Sequence, residues 1–290
     1  MTAEQRYVVL TPVRNERPHL EATLASVVGQ TVPPALWLVL DDGSSDGSAE
    51  LVERYRERHP WIRLVSLPDR GFDLVGQGVA ELMNRGLRLI ADEPGAYLAK
   101  LDGDVEVPER YFEELLAAHE ADPSLAICSG HPFAFEKGRR LLERHGDFFP
   151  SGTARLYRRR YLDEIGGFVN SVGWDTVDIL KMRMRGYRTR VLHDLQYHHR
   201  RRMGTRNGYI DGMLRDGRNA YLTGYGPFFF LCRALFNARY RPYLLRTACM
   251  LWGFASVWMK RTPRIVTREE REFHLRLQRR RMRFEPIDGP

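Results

Sequence analysis

The sequence predicts an α/β fold: a mostly parallel central sheet flanked by helices, with amphipathic helices towards the C-terminal end. Three observations lead there. Short apolar runs alternate with segments of helical periodicity from Tyr7 to Glu120. Three of those runs end in polar, carboxylate-bearing residues: TPVRNE (11–16), DDGSSDGS (41–48) and DGD (102–104). The last third then changes character, with apolar and aromatic stretches set among arginines.

Tyr7–Thr11 reads as a buried strand. Residues 16 to 30 read as a helix, with Leu20, Leu24, Val27 and Val28 at helical spacing. Trp37–Leu40 is a second strand and DDGSSDGS a turn. Ser48 is placed to cap a helix running to about Arg58. Trp61–Leu67 is a third strand, and the loop PDRGFDLVGQG (68–78) leads into a helix over 76–89. Ala96–Leu101 is a fourth strand, followed by a helix over 108–120. Beyond residue 123 the pattern loosens. Leu125–Ser129 and Ala154–Tyr157 read as strands, Thr176–Arg185 as a helix, and VLHDLQYHHRR (191–201) as a further strand. PFFFLCRALF (227–236) and TACMLWGFASVWM (247–259) fall short of the ~20 apolar residues that a bilayer span requires. Their Trp and Phe content and basic flanks suit helices lying in a membrane interface. REEREFHLRLQRRRMRF (268–284) is a charged helix or tail.

A chain of 290 residues with 43% apolar content can bury a sizeable core. Cys128, Cys232 and Cys249 are scattered, give no metal spacing and fit a reducing compartment. The polar start MTAEQRYVVLTP has no signal-peptide pattern, so the expected location is cytoplasmic. The net charge of +8 is unevenly spread. Residues 200–290 hold 20 Lys+Arg against 7 Asp+Glu, a balance of +13, and residues 1–199 hold 25 against 30, a balance of −5. A basic region of this kind meets anionic lipid, phosphorylated substrate or nucleic acid.

The strongest chemical signal is LAKLDGDVEVPERYF (98–112). Asp102 and Asp104 flank Gly103 on the turn leaving an apolar run. Two carboxylates so placed can share one divalent cation, and oxygen ligands favour Mg²⁺ or Mn²⁺, ions that also take phosphate oxygens. The carboxyl ends of several strands together form the rim where open α/β sheets bind nucleotides.

Taken in order, TPVRNE, LVLDDGSSDGS, KLDGD and GWDTVDILKMRMRGY resemble glycosyltransferase family 2, over roughly residues 6 to 205. The resemblance implies a GT-A (nucleotide-diphospho-sugar transferase) fold, a nucleotide-sugar donor, a divalent cation and inversion at the anomeric carbon. It implies a catalytic domain over 1–205, with a donor half to about 105 and an acceptor half over 106–205, and a helical region over 206–290. By the same likeness Thr11, Pro12, Arg14 and Glu16 line the nucleotide pocket. Asp41 and Asp42 meet its base or ribose, since a carboxylate accepts from an imide N–H or ribose hydroxyl. Gly76 and Gln77 belong to a loop that approaches phosphate at a helix start, and Lys100 reaches the same diphosphate. Asp102, Gly103 and Asp104 form the metal and donor turn.

Asp175 aligns with the acidic residue at the head of the acceptor-side helix and is the expected general base, with Asp178 as the alternative one turn on. Trp174 stands where the family usually has another acidic residue. Trp174, Asp178 and Arg155 are expected on the acceptor side. Of His198 and His199, His199 is the expected third metal ligand. Arg200–Arg202 are placed to close over phosphate. The Gln-x-x-Arg-Trp segment of processive members is not found, which points to one sugar per encounter. The resulting expectation is a hexosyltransferase acting on a glycan or lipid-linked acceptor of the cell envelope, peripheral on the inner face of the cytoplasmic membrane. A nucleotidyltransferase would carry a glycine-rich basic loop where TPVRNE stands. A nucleic-acid binder would leave the acidic rim without a role, and nucleic acid is not expected as a partner.

Overall fold

The computed structural model describes residues 6–71, 76–136, 138–143, 146–201, 208–239 and 243–287. The first structural elements alternate: β1 (Tyr7–Val13), α1 (Arg17–Val28), β2 (Leu36–Asp41), α2 (Ser48–Arg58), β3 (Ile62–Ser66), α3 (Gln77–Leu89) and β4 (Tyr97–Leu101). There follow β5 (Val105–Glu106), α4 (Tyr111–Ala121), β6 (Leu125–Glu136), β7 (Arg139–Leu142), β8 (Ala154–Arg158), α5 (Arg159–Glu164), α6 (Trp174–Met184) and β9 (Arg188–His199). Among the described residues these strands form one sheet in the order β3-β2-β1-β4-β8-β6-β9-β5, with β7 paired to β6.

β1, β2, β3 and β4 are mutually parallel, as the alternating pattern requires. The sheet then becomes mixed. β8 runs antiparallel between β4 and β6, while β9 returns parallel to β6. The chain reverses between β1 and β4: β2 pairs with β1 on one side and β4 on the other. Such a reversal opens a crevice beyond the carboxyl ends of the strands. The motifs 11–16 and 102–104 leave the sheet at that point.

Both faces of β1, β2 and β4 are buried, which explains their largely apolar runs, while the edge strand β3 is partly open. Along β1, Tyr7 and Val9 face a core shared with Leu20, Leu24 and Val27 of α1, Leu51 and Val52 of α2, and Phe112 and Leu115 of α4. Val8 and Leu10 face the opposite core, with Leu82 and Met83 of α3, Leu162 of α5 and Ile179 of α6. Each fully buried Leu, Val or Phe contributes about 1.5–3 kcal/mol relative to exposure. Trp37 is completely buried, and its indole N–H donates to Thr11 Oγ1 at 2.8 Å.

Ser48 differs from its expected role. The N-cap of α2 is Gly47, in a left-handed conformation with no side-chain cap bond. The Ser48 hydroxyl instead accepts from the Glu16 backbone N–H at 3.0 Å and donates to Asp46 at 2.6 Å, tying the end of β1 to the turn after β2.

The chain divides into two compact units, one of residues up to Met182 plus Tyr187–Arg200, the other of Arg183–Gly186 and the residues from Arg201 on. The second holds α7 (Tyr209–Leu222), α8 (Pro227–Asn237), α9 (Tyr243–Met259) and α10 (Arg268–Met282). α7 and α9 cross where glycines face backbone: a Cβ on Gly217 would meet Met250 O at 2.0 Å, and one on Gly253 would meet Leu214 O at 2.1 Å. α10 opens with a capping box, Thr267 Oγ1 accepting from Glu270 N and Glu270 accepting from Thr267 N. No helix among the described residues is long and apolar enough to cross a membrane.

Candidate active site

Three segments meet at the crevice. At the end of β1, Asn15 adopts a left-handed backbone (φ 53°), a conformation its short amide side chain tolerates. Its Oδ1 accepts from Ser45 N, and its own N–H donates to Ser44 Oγ, both at 2.9 Å. TPVRNE is thereby laced to DDGSS. Gly43 also has positive φ, and a Cβ there would lie 2.5 Å from Asp69 Cα, so only glycine lets the 68–71 segment come this close.

The two carboxylates at the end of β2 are held differently. Asp42 is fully buried and bound by Arg70 through two bonds, Nε–Oδ1 at 2.6 Å and Nη2–Oδ2 at 2.8 Å. Arg14 donates to the Asp42 carbonyl at 2.8 Å and to Asp69 Oδ1 at 2.7 Å. Asp41 accepts from the Ser44 N–H at 3.3 Å, and burial raises its carboxyl above the usual range despite that bond. Gly76, with φ 56°, abuts Val172, and exposed Gln77 binds Glu81 at 2.8 Å. The rest of the expected loop, 72–75, lies outside the described residues, as does Arg202.

At the end of β4, Gly103 packs against the first motif: its Cβ position lies 3.3 Å from Glu16 Cγ, and its carbonyl accepts from Thr23 at 2.9 Å. Lys100 is buried under the turn, pairing with Asp102 and donating to the Gly152 carbonyl at 2.6 Å. Its ammonium lies 5.4 Å from the Trp174 ring centre. Burial pushes the Asp102 carboxyl up from its ordinary range, with Lys100 pulling the other way.

Strand pairing brings the late histidines to the same turn. His199 is opposite Val105 and His198 opposite Glu106. Alternation along β9 sends the two rings apart. His198 stacks on Phe133 at 5.1 Å and faces Glu106. His199 is buried, with Nε2 3.6 Å from Asp104 Oδ1 and Nδ1 3.2 Å from Glu143 Oε2. Burial opposes its charge, but the two carboxylates outweigh it and raise its pKa to about 10.

Among the described residues, no three His, Cys, Asp or Glu side chains already stand in ligating positions. The donor types nevertheless fit a divalent cation. Two ligands each about 2.1 Å from an ion, at right angles, stand about 3 Å apart. The 3.6 Å between Asp104 and His199 is within a small side-chain adjustment of that spacing.

Asp175 lies in the first turn of α6, which begins two residues earlier than the periodicity predicts. Its side chain is half-buried and packs on Gly152, whose Cβ position lies 3.0 Å from Asp175 Oδ2. The same glycine's carbonyl binds Lys100. Asp178 points the other way, into the protein. It accepts from Arg155 Nη1 at 2.8 and 2.9 Å and from Tyr157 at 2.6 Å, and burial pushes its pKa up to about 6. Arg155 also binds the carbonyls of Pro150, Ser151 and Asp175. Arg155 and Asp178, expected on the acceptor side, are instead buried together and hold the start of α6 from within. Trp174 is likewise buried, against Phe168 and the cations of Lys100 and Arg155.

Residues 8–166 match the model of the family described as Glycosyl transferase family 2. A cholesterol galactosyltransferase of Borreliella burgdorferi is 30% identical over 115 residues, 40% of this chain and 29% of that protein. The uncharacterized glycosyltransferase YibD of Escherichia coli is 28% identical over 130 residues, 44% of this chain and 35% of its own length. The chain thus spans about a third of the length of these relatives. Among solved structures, the mannosyltransferase PcManGT of Pyrobaculum calidifontis, in complex with GDP-Man and Mn²⁺, superposes with a TM-score of 0.58. It is 20% identical, covering 93% of this chain and 79% of that one. TarS 1-349 of S. aureus in complex with UDP-GlcNAc gives 0.55 at 17% identity, covering 93% and 79%. These likenesses show the GT-A fold.

Proposed function

The chain belongs to glycosyltransferase family 2, and from that membership and the geometry of the crevice we propose that it is an inverting, cation-dependent hexosyltransferase. It moves one sugar from a nucleoside-diphosphate sugar to a hydroxyl of a glycan or lipid-linked acceptor of the cell envelope. Solved structures of the same fold carry GDP-Man with Mn²⁺ and UDP-GlcNAc, which supports this class of donor. A donor half over 1–105 and an acceptor half over 106–205 follow from the placement of the motifs.

The observation that carries the reading is the approach of Asp175 to the DGD turn. Only the absence of a side chain on Gly152 leaves room for the Asp175 carboxylate, since a Cβ there would lie 3.0 Å from Oδ2, and the carbonyl of the same glycine binds the lysine that pairs with Asp102. Thr11, Pro12, Arg14, Glu16, Gly76 and Gln77 border the donor side, and Asp41 accepts from the nucleoside; Asp42, expected to share that role, is fully buried with both oxygens on Arg70 and holds that guanidinium in place instead. Lys100 keeps Asp102 oriented. Asp104 and His199, with Asp102 beside them, would hold Mg²⁺ or Mn²⁺, which neutralises charge developing on the departing diphosphate. Asp175 takes the proton of the acceptor hydroxyl as its oxygen bonds to the sugar C1. The C1–O bond to the diphosphate breaks on the opposite face, and its electron pair leaves with the nucleoside diphosphate. The configuration at C1 therefore inverts.

The second unit supports a peripheral position on an anionic membrane. α8 exposes Phe228, Leu231, Leu235 and Phe236, and α9 exposes Leu244, Leu245, Trp252 and Trp258. The two helices contain two arginines and no acidic residue. Arg239 lies over the Phe236 ring at 3.3 Å, and Lys260 and Arg261 follow α9. An apolar face with aromatic side chains and basic ends suits the headgroup boundary of anionic lipid.

Two variants test the chemistry. Calorimetry of nucleoside diphosphates with and without Mn²⁺ should show metal-dependent binding by the parent and little metal dependence in Asp104→Asn. Asp175→Asn should keep donor affinity and lose roughly 10²-fold or more in turnover, the scale of general-base catalysis. Unchanged turnover in Asp175→Asn sinks its assignment.

A further inference from the structure

Glu143 stands against the site without a role in the reading above. It follows β7 in a polar segment that carries no motif. Its backbone is fixed from both sides: its N–H donates to Pro132 O at 2.9 Å, and its carbonyl lies 2.8 Å from His131 Nε2. Its side chain is 13% exposed and ends 3.2 Å from His199 Nδ1. Across the same ring, Nε2 faces Asp104. The imidazole is therefore clamped along one axis between two carboxylates that belong to different segments of the chain.

A histidine that ligates a cation does so as a neutral imidazole, with one ring nitrogen as ligand and the other as hydrogen-bond donor. An ionised Glu143 only accepts, so opposite it the hydrogen must sit on Nδ1. That leaves the Nε2 lone pair directed to the Asp104 side, where a cation shared with that carboxylate would lie. Carboxylates bonded to the far nitrogen of a ligating histidine fix its tautomer and ring plane and strengthen it as a donor. His198, one residue earlier, is a useful contrast. It also meets a carboxylate, Glu106 at 3.4 Å, but its ring lies flat on Phe133, away from Asp104.

We propose that Glu143 is a positioning residue that fixes His199 with Nε2 presented, beside Asp104, to a divalent cation. The proposal rests on the reading of Asp104 and His199 as cation ligands. It links Glu143, just after β7, to donor binding and gives it a function that its polar sequence surroundings do not announce.

The test is Mn²⁺ affinity of the full chain, read by the electron paramagnetic resonance of free Mn²⁺, with and without a saturating nucleoside diphosphate. Glu143→Ala should weaken Mn²⁺ about 10- to 100-fold, the usual consequence of losing such a partner. Glu143→Gln should retain most of the affinity, because its amide oxygen accepts the same bond from Nδ1–H. Nucleoside-diphosphate binding without metal should be unchanged in both. Should Glu143→Ala fail to fold, Glu143→Asp replaces it: its shorter side chain falls away from Nδ1, so Mn²⁺ should weaken relative to Glu143→Gln. Parent-like Mn²⁺ affinity in Glu143→Ala, or in Glu143→Asp, overturns the proposal alone. So does an equal loss in the Ala and Gln variants accompanied by weaker metal-free nucleotide binding, which is the mark of a merely structural anchor. A parent that binds no Mn²⁺ removes the reading of Asp104 and His199, and this proposal with it.

Discussion

Asp175 and Asp178 are one helical turn apart and have opposite fates. Asp178 is buried with Arg155 and Tyr157, while Asp175 stays half-open beside Gly152. Removing one partner of a buried ion pair strands the other, at a cost of about 3–5 kcal/mol. Arg155→Ala should therefore lower the denaturation midpoint sharply, whereas Asp175→Asn should leave it near the parent value. A midpoint for Arg155→Ala equal to that of the parent would show that water reaches Asp178. The sequence made the carboxylates on the rim legible because each follows an apolar run. It did not reveal their neighbours. Arg70, Asp69 and Glu143 are single charged residues in polar segments, and their partners lie 28, 55 and 56 residues away. Long-range pairing leaves no local pattern to read. Arg155 was expected on the acceptor side, but it is completely buried, bound to Asp178 and to three backbone carbonyls.

At the scale of elements, the strands and helices of the parallel half were legible from periodicity because both faces of β1, β2 and β4 are buried. β5 and β7 were not: one is two residues long, and the other is exposed throughout. α7 was missed for a different reason. Gly212 and Gly217 lower its helical propensity, and they are tolerated because α7 packs closely on α9. A Gly253→Ala side chain would have to push the Leu214 carbonyl aside, so the second unit should lose roughly 1–3 kcal/mol. Thermal unfolding of that variant checks it, and an unchanged midpoint would mean that the crossing is looser. Elements also set the acid limit. His119 on α4 is buried with its ring nitrogens 3.1 and 3.2 Å from the Leu125 and Leu156 carbonyls, and burial lowers its pKa to about 4. Its folded value lies below the ordinary 6.5 of an unfolded chain. The unfolded state therefore binds the proton first, and stability is full above about pH 6.5 and falls as pH drops towards about 4. The loss is at most about 3 kcal/mol. Urea unfolding across that window should show a shallower pH slope for His119→Gln than for the parent; equal slopes would put the acid sensitivity elsewhere.

The whole molecule is divided in charge and in surface. The rim that reads as donor site lies in the part with excess acid, and the residues from 200 onward carry the balance of +13. That division was legible from composition, as were the apolar stretches of α8 and α9. Composition could not say which of their side chains point outward, because that depends on the packing of α7 and α8 against α9. The full chain should float with anionic vesicles, and more salt should weaken the association, since screening shortens the reach of surface charge. Trp252→Ser with Phe228→Ser should reduce flotation without loss of fold, because both side chains are more than half exposed. Indifference to vesicles, together with concentration-dependent self-association, would assign the face to a second copy of the chain.

The central claim is a single displacement at the sugar C1, and the configuration of the first-formed product tests it most directly. Proton NMR of the glycoside formed from an α-linked nucleoside-diphosphate sugar, chosen by its binding in the presence of Mn²⁺, distinguishes the two anomers of the new linkage. The account predicts a β-configured product, formed by the parent and strongly slowed in Asp175→Asn. An α-configured first product would contradict it.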